Sequence, residues 1–144
     1  MSKVITHWHA EPLSVYEWSR LDLGAMLHRR PTFSLSSEEG VPIDIHMPCQ
    51  MPRLILVDGT SLSVQAGEYS YSSPRDNNGP YASVEVGFPS TTPPEMWKQY
   101  CEDWDNPTNT VYGYIPLSLV MIFIGAHGGI DREKTFKDFE FKLR

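Results

Sequence analysis

Alternating apolar and polar positions dominate the middle of the chain and predict β-strands there. An apolar run at 53–57 precedes Asp58-Gly59, and apolar residues then occupy every second position over 62–66. An Asp-Gly pair between two such runs is a strong hairpin signal, because glycine adopts the positive φ that a type I′ turn requires. Residues 82–88 alternate in the same way. We therefore predict an antiparallel meander over about residues 53–88.

Apolar residues at helical spacing predict three helices around this meander. The first spans about residues 15–28 and begins with the capping-box pair Ser14 and Glu17. The second covers about residues 93–102, and the third covers about residues 116–126. The third helix is apolar on nearly every face, which predicts that it is buried on more than one side.

Together these elements predict an α+β fold. Its antiparallel sheet, from about residues 43–88 and 110–115, is expected to be packed by the N-terminal helix and by two short C-terminal helices. Residues 31–52 contain four prolines and are predicted to be mostly loop, with one short strand near 43–47. The 144 residues have the size of one domain, 1–144.

The charge distribution excludes one large class of partner. The formal net charge is −6, and between residues 31 and 131 the only basic side chains are Arg53, Arg75 and Lys98. A surface that binds duplex nucleic acid needs a basic face, so we expect no duplex partner. The longest apolar stretch, 117–124, is too short for a membrane span. With two cysteines and no signal-peptide pattern, the sequence predicts a soluble intracellular protein without a membrane partner.

One histidine-rich segment and one acidic cluster could carry metal binding or acid–base chemistry, and both have a simpler interpretation. His7, His9 and Glu11 would share one face of a strand, but two histidines without a further ligand are a weak metal signal. The acidic cluster at 102–105 follows a predicted helix, where such residues usually form solvated surface. We therefore predict no metal site, and whether His7 and His9 have a function stays open.

A cysteine–histidine pair is the other catalytic candidate. Cys101 could act as a nucleophile with His127 as its base, but none of the local signatures of cysteine enzymes surrounds Cys101. A half-buried structural cysteine is the favoured interpretation. The sequence also contains no phosphate-binding glycine loop, no HExxH and no CxxC. We predict no catalytic residue and no cofactor.

Arg75 carries the most distinctive chemistry in the sequence. It lies in the turn-forming segment 74–80, close in sequence to several tyrosines and to the amides of Asn77 and Asn109. An arginine can bind a phosphate, an aromatic ring can stack on a base, and amides can bind the edge of that base. The simpler interpretation is that Arg75 pairs with Asp76 or Glu102 and that the tyrosines pack in the core.

Three strings carry a family resemblance: SVQAGEYSYSSPRDNNGPYASVEVGFPS, YCEDWDNPTNTVYGYIP and AHGG. Over about residues 60–130 the chain resembles the phage-encoded Thoeris anti-defence sponges. The resemblance implies a non-enzymatic protein that sequesters cyclic ADP-ribose-type signals in the cytoplasm of the infected bacterial host. Some members also hold cyclic oligonucleotides. The resemblance further implies a homo-oligomer, a dimer or an assembly of dimers, and leaves residues 1–50 as an N-terminal elaboration.

The resemblance also implies roles for individual residues. Arg75 would hold a phosphate or ribose, Tyr100 would stack on the base, and Asn109 would hydrogen-bond the ligand. His127 falls near a basic position of the family, and a neutral histidine there would weaken a phosphate contact. The remaining expected ligand-binding residues are the aromatic side chains of Phe88 and Tyr112.

Two alternatives to a nucleotide sponge stay open. The excess of acidic residues would suit a protein-binding inhibitor of a host defence complex, because acidic surfaces attract partners that normally bind nucleic acid. A phosphodiesterase that cleaves the same signals ranks below it, because the paired acid–base groups or metal ligands of such an enzyme are not apparent in the sequence. The identity of the cyclic nucleotide and the number of subunits are not predicted.

Overall fold

The computed structural model describes residues 2–7, 13–36, 42–43, 45–77 and 79–139. Within these ranges the chain forms two four-stranded antiparallel sheets and several short helices, which confirms the predicted α+β class. The strands of the first sheet are β1 (Ser2–His7), β2 (Pro31–Ser36), β3 (Pro42–Ile43) and β4 (Ile45–Pro48). The strands of the second are β5 (Leu54–Ile55), β6 (Ser61–Gln65), β7 (Ser83–Gly87) and β8 (Val111–Pro116).

The first sheet corrects the sequence prediction for the N-terminal third. The short strand predicted near 43–47 was assigned to the central sheet, but β3 and β4 pair with β2, and β2 also pairs with β1. Residues 31–36, predicted as loop, are thus a strand with partners on both edges. Pro31 is compatible with this position because proline is tolerated at the first residue of a strand.

The second sheet has the predicted meander order β5-β6-β7-β8. Val64 of β6 faces Val86 of β7, and a bulge between Val84 and Val86 shifts the pairing of β7 with β8. The hairpin at Asp58-Gly59 is confirmed, but its turn is not type I′. The Leu56 N–H donates to the Thr60 carbonyl (2.7 Å), so the loop has three residues, and Gly59 adopts φ +92° as in a bulged hairpin.

The predicted N-terminal helix is divided into α1 (Val15–Ser19) and α2 (Leu23–His28). Ser14 and Glu17 form the predicted capping box, because each side chain accepts a hydrogen bond from the other residue's backbone N–H. Asp22 caps α2 by accepting from the Ala25 N–H (2.9 Å). A second capping residue inside the apolar pattern therefore starts a new helix instead of continuing the first.

Three further helices lie in the C-terminal half. The predicted helix at 93–102 is a 3-10 helix over Glu95–Tyr100, followed by α3 (Leu117–Ala126) and α4 (Arg132–Thr135). Val120, Phe123 and Ile124 of α3 are buried, but Ile122 is 68% exposed, so one face of α3 lies at the surface. The prediction that α3 is buried on several sides is wrong for that face. No helix in the described ranges is long and apolar enough to cross a membrane.

A common core joins the N-terminal helices to the second sheet and the C-terminal segment. Trp18 of α1 is fully buried, and its indole N–H donates to the Met26 carbonyl (2.9 Å). Its ring packs edge-on against Phe136 and stacks on Phe139, both at 5.7 Å between centroids. In the same core cluster, Trp97 packs against Phe123 of α3 at 5.0 Å between centroids.

Candidate functional site

Arg75 lies in an exposed loop over the ring of Tyr71, and a second tyrosine, Tyr114, packs against that ring. Its guanidinium carbon is 5.1 Å from the centroid of the Tyr71 ring, and the Tyr71 and Tyr114 centroids are 5.8 Å apart. Tyr71 is 41% exposed and Tyr114 is 45% exposed. We call these three residues the Arg75 surface. A cation over an aromatic face is an attractive contact that leaves the guanidinium N–H groups available to an acceptor.

The backbone of β8 positions the Tyr71 ring. The Tyr71 carbonyl accepts from the Tyr114 N–H (2.9 Å), and the Tyr71 N–H donates to the Glu85 carboxylate (3.0 Å). A Cβ atom at Gly113 would lie 3.2 Å from the Tyr71 Cβ, so the absence of a side chain at Gly113 lets the ring lie close to the strand. Tyr71 is therefore fixed at its backbone and on one side of its ring.

Tyr114 has a strained backbone. Its φ is +53°, a conformation that residues other than glycine rarely adopt and that costs of order 1–3 kcal/mol. Such conformations concentrate at functional sites. The strain at Tyr114 therefore marks the Arg75 surface as a candidate site independently of its chemistry.

The charge of Arg75 is not neutralised by its neighbours in the described chain. The sequence left open an ion pair with Asp76 or Glu102, but within the described ranges Arg75 forms no ion pair. The Asp76 carboxylate accepts from the Gly79 N–H (3.1 Å). Arg75 can therefore receive an anionic group, while the two tyrosines offer π-faces for a planar ring.

The other predicted ligand residues do not join the Arg75 surface through any contact among the described residues. Tyr100 is half-buried and packs against the core. Asn109 is exposed in a turn in which its N–H donates to the Asn106 carbonyl (2.9 Å). Phe88 is 48% exposed with φ +50°, and its carbonyl accepts a hydrogen bond from Arg53.

Tyr112 is a core residue. Its side chain is fully buried, its hydroxyl donates to the Pro107 carbonyl (2.5 Å), and its ring packs edge-on against Trp97 at 5.4 Å. Burial raises the pKa of the Tyr112 phenol. A ring enclosed in this way offers no face to a ligand, and the simpler interpretation of a core aromatic applies to it.

His127 forms a separate polar cluster. Its Nδ1 lies 2.6 Å from the Asp58 carboxylate and 3.2 Å from the Thr60 hydroxyl, and its ring packs on Phe123 at 4.5 Å. The Thr60 backbone N–H, and after it the His127 ring, lower the pKa of Asp58 below its ordinary value of 3.8. No contact in the described chain joins His127 to Cys101, so the nucleophile–base pair considered from the sequence is not formed.

His127 also lies at the edge of an apolar cavity. The cavity has a volume of about 300 Å³. Apolar side chains from the 3-10 helix and α3 supply most of its lining, among them Met96, Trp97, Leu119, Ile122 and Phe123. Its chemistry suits an apolar group rather than a phosphate.

The described residues form no site from the remaining catalytic and metal candidates. Asp103 is exposed and accepts from the Asn106 amide (2.9 Å), as expected for a solvated loop. The part of the chain that the structure describes contains no group of three or more potential metal ligands. His7 is described as part of β1, while His9 and Glu11 lie outside the described residues.

One arginine-rich cavity was missed from the sequence. Arg20 and Arg132 line a cavity of about 510 Å³ together with Tyr16. Arg132 is held at the cavity by hydrogen bonds to the carbonyls of Ser19 and Leu21, which precede it by 113 and 111 residues in the chain. Such pairings leave no local pattern, so only the fold reveals them.

The fold and the Arg75 surface define an α+β protein with an exposed, aromatic-backed cation suited to an anionic ligand. Comparison with models of protein families, with curated proteins and with solved structures gives no match. The functional conclusion therefore rests on the geometry of the site and on the motif resemblance.

Proposed function

We propose that the protein binds and sequesters cyclic nucleotide immune signals, cyclic ADP-ribose isomers in the first instance, without cleaving them. In this proposal it acts in the cytoplasm of a phage-infected bacterium and thereby inhibits anti-phage defence. The observation that carries the proposal is the Arg75 surface: a cation that forms no ion pair with the described residues and lies over the Tyr71 ring, which in turn packs against Tyr114. The residues that form it lie within the motifs that resemble the Thoeris anti-defence sponges.

The expected affinity argues for more than one subunit at the site. A charge-assisted hydrogen bond contributes about 1.5–3 kcal/mol, and base stacking contributes about 1–3 kcal/mol per ring. One arginine and two tyrosines therefore supply about 3.5–9 kcal/mol, which reaches the roughly 8 kcal/mol of micromolar binding only at its upper end and does not yet cover the cost of association. We propose that a second protomer closes the site and supplies the remaining contacts, which makes the functional unit a homo-oligomer.

The surroundings of the Arg75 surface favour binding over turnover. The carboxylate that contacts it, Glu85, accepts a backbone hydrogen bond from Tyr71. A carboxylate held in this way fixes the ring and is a poor candidate for a general base. A tightly bound signal that is never turned over is what sequestration requires.

The test is recovery of intact ligand. Purified protein is incubated with cyclic ADP-ribose, washed, denatured by heat, and the released small molecules are identified by mass spectrometry. We expect intact cyclic ADP-ribose from the wild type and from Lys98→Gln, and at least about tenfold less from Arg75→Gln. Lys98 is a matched control because it is an exposed cation outside the Arg75 surface.

Two outcomes would overturn the proposal. A product of different mass would make the protein a signal-degrading enzyme. Equal recovery from Arg75→Gln and the wild type would remove the assigned site.

A protein-binding inhibitor is the second candidate, and the apolar cavity favours it. Met96 and Ile122 line the cavity and are 58% and 68% exposed. Exposed apolar groups around a cavity are typical of protein-binding surfaces. Failure to retain any cyclic nucleotide, together with a host protein that co-purifies with the wild type but not with Ile122→Ser, would favour this function.

A further inference from the structure

A second cationic site lies between α1 and α4. Its cavity of about 510 Å³ is lined by Tyr16, Ser19, Arg20, Arg132, Glu133 and Phe136. This volume falls in the range of pockets that hold drug-sized ligands. Two arginines against one carboxylate give it a positive charge in a protein whose net charge is −6.

Arg132 is held rigidly at this cavity. Its Nη1 atom donates to the Ser19 carbonyl and to the Leu21 carbonyl (3.0 Å), both at the junction of α1 and α2. The described residues supply no partner for Nη2 or Nε of Arg132. A guanidinium fixed at one nitrogen presents its other N–H groups with little entropy left to lose, which favours a planar anionic acceptor.

Arg20 and Tyr16 provide the second half of the site. The Arg20 guanidinium carbon lies 4.3 Å from the centroid of the Tyr16 ring, and Tyr16 is 65% exposed. Arg20 makes no ion pair with the described part of the chain. A stacked arginine and an exposed ring together suit a ligand that has both an anionic group and an aromatic ring.

We infer that this cavity binds a phosphate ester that carries an aromatic ring, of nucleoside monophosphate size, with Arg20 and Arg132 on the phosphate and Tyr16 against the ring. The site shares no residue with the Arg75 surface, so the inference does not depend on the proposed function. It also assigns a binding role to the N-terminal segment, for which the motif resemblance implies none.

The test measures binding of three probes to full-length Arg75→Gln protein by isothermal titration calorimetry. In this background the Arg75 surface lacks its cation. The probes are adenosine 5′-monophosphate, adenosine and inorganic phosphate. We expect the monophosphate to bind one site per chain, at least about tenfold more tightly than either fragment, and more weakly as salt is raised.

Substitutions of the lining residues test which side chains bind the monophosphate. Adding Arg20→Gln is expected to weaken monophosphate binding at least about tenfold, and Tyr16→Ala at least about fivefold. Both residues are exposed, so the variants should fold, which circular dichroism verifies. Arg29→Gln is the matched control, because Arg29 is an arginine of the same segment that does not line the cavity.

Three results would overturn the inference: no monophosphate binding at millimolar concentration, equal binding of phosphate and monophosphate, or unchanged affinity in Arg20→Gln. If cyclic ADP-ribose is not recovered but the monophosphate binds this cavity, the proposed function is wrong and the cavity remains a ligand-binding site.

Discussion

Replacing Arg30 by methionine should destabilise the whole fold, although Arg30 belongs to neither candidate site. The Arg30 side chain is only 2% exposed. Its Nε donates to the Leu27 carbonyl (3.0 Å), its Nη2 to the Ala66 carbonyl (2.6 Å) and its Nη1 to the Cys49 carbonyl (3.4 Å). One guanidinium therefore ties the end of α2 to the segments that follow β4 and β6.

The expected loss of stability follows from the three carbonyls that lose their hydrogen-bond donor. Methionine fills much of the space of the arginine stem but donates no hydrogen bond, and each buried carbonyl left unpaired costs about 1–3 kcal/mol. Removal of the buried charge recovers part of its desolvation penalty. We expect the free energy of unfolding to fall by about 3–5 kcal/mol, a large share of the 5–15 kcal/mol typical of a domain. Arg30→Lys should lose less, because its ammonium keeps the charge.

Urea unfolding followed by far-ultraviolet circular dichroism measures this change. Arg29→Met is the control, because Arg29 is half-exposed and should change the free energy of unfolding by less than about 1 kcal/mol. A loss below about 1 kcal/mol in Arg30→Met would refute the reasoning, because it would mean that water replaces the guanidinium at all three carbonyls.

Three further predictions concern acid stability, thiol reactivity and the Arg75 surface. The lowered pKa of Asp58 stabilises the folded protein above the unfolded-state pKa of 3.8, and this stability is lost as the pH falls through the folded-state pKa. Lowering the pH should therefore destabilise the wild type more than Asp58→Asn. Acid titrations of the two proteins that run parallel would contradict this. Burial raises the pKa of Cys49 to about 12. Iodoacetamide at about pH 8 should therefore leave Cys49 unmodified in the folded protein, as mass spectrometry of the digested protein would show. Modification of Cys49 before the protein unfolds would contradict this. Gly113→Ala should crowd Tyr71 and weaken cyclic ADP-ribose binding in the recovery assay. Gly125→Ala is the control, because a Cβ there meets nothing within 4 Å; it should keep full binding and stabilise α3 by up to about 1 kcal/mol.

Local signals predicted the second sheet and failed for the first. The Asp58-Gly59 hairpin and the strand at 83–87 are visible in the sequence because their buried apolar residues occupy every second position, Leu62 and Val64 in β6 and Val84 and Val86 in β7. The three-residue turn was not predictable, because it depends on how Leu56 pairs with Thr60. In the first sheet, β2 starts at Pro31 and pairs with β1 across two intervening helices, a long-range pairing that no window of sequence displays.

The candidate site likewise contains residues that local sequence patterns predict and residues that only long-range pairing brings together. Arg75 and Tyr71 are neighbours in the sequence, so their combination was predictable from composition and turn signals. The addition of Tyr114 depends on the pairing of distant segments and on a backbone conformation that no sequence pattern announces. Tyr112 lies two positions before Tyr114, and regular alternation would place both side chains on one face of β8. The positive φ of Tyr114 and the irregular pairing opposite Val84 and Val86 interrupt that alternation, so Tyr112 is buried while Tyr114 is exposed.

The contact of Arg132 with Ser19 has a consequence for the synthesis of the protein on the ribosome. Ser19 is made 113 residues before Arg132. At about 5–20 residues per second, this corresponds to roughly 6–23 s during which the indole of Trp18 has emerged without the aromatic rings that later cover it. The first helices therefore cannot complete their packing until the segment that contains Arg132, Phe136 and Phe139 has been synthesised.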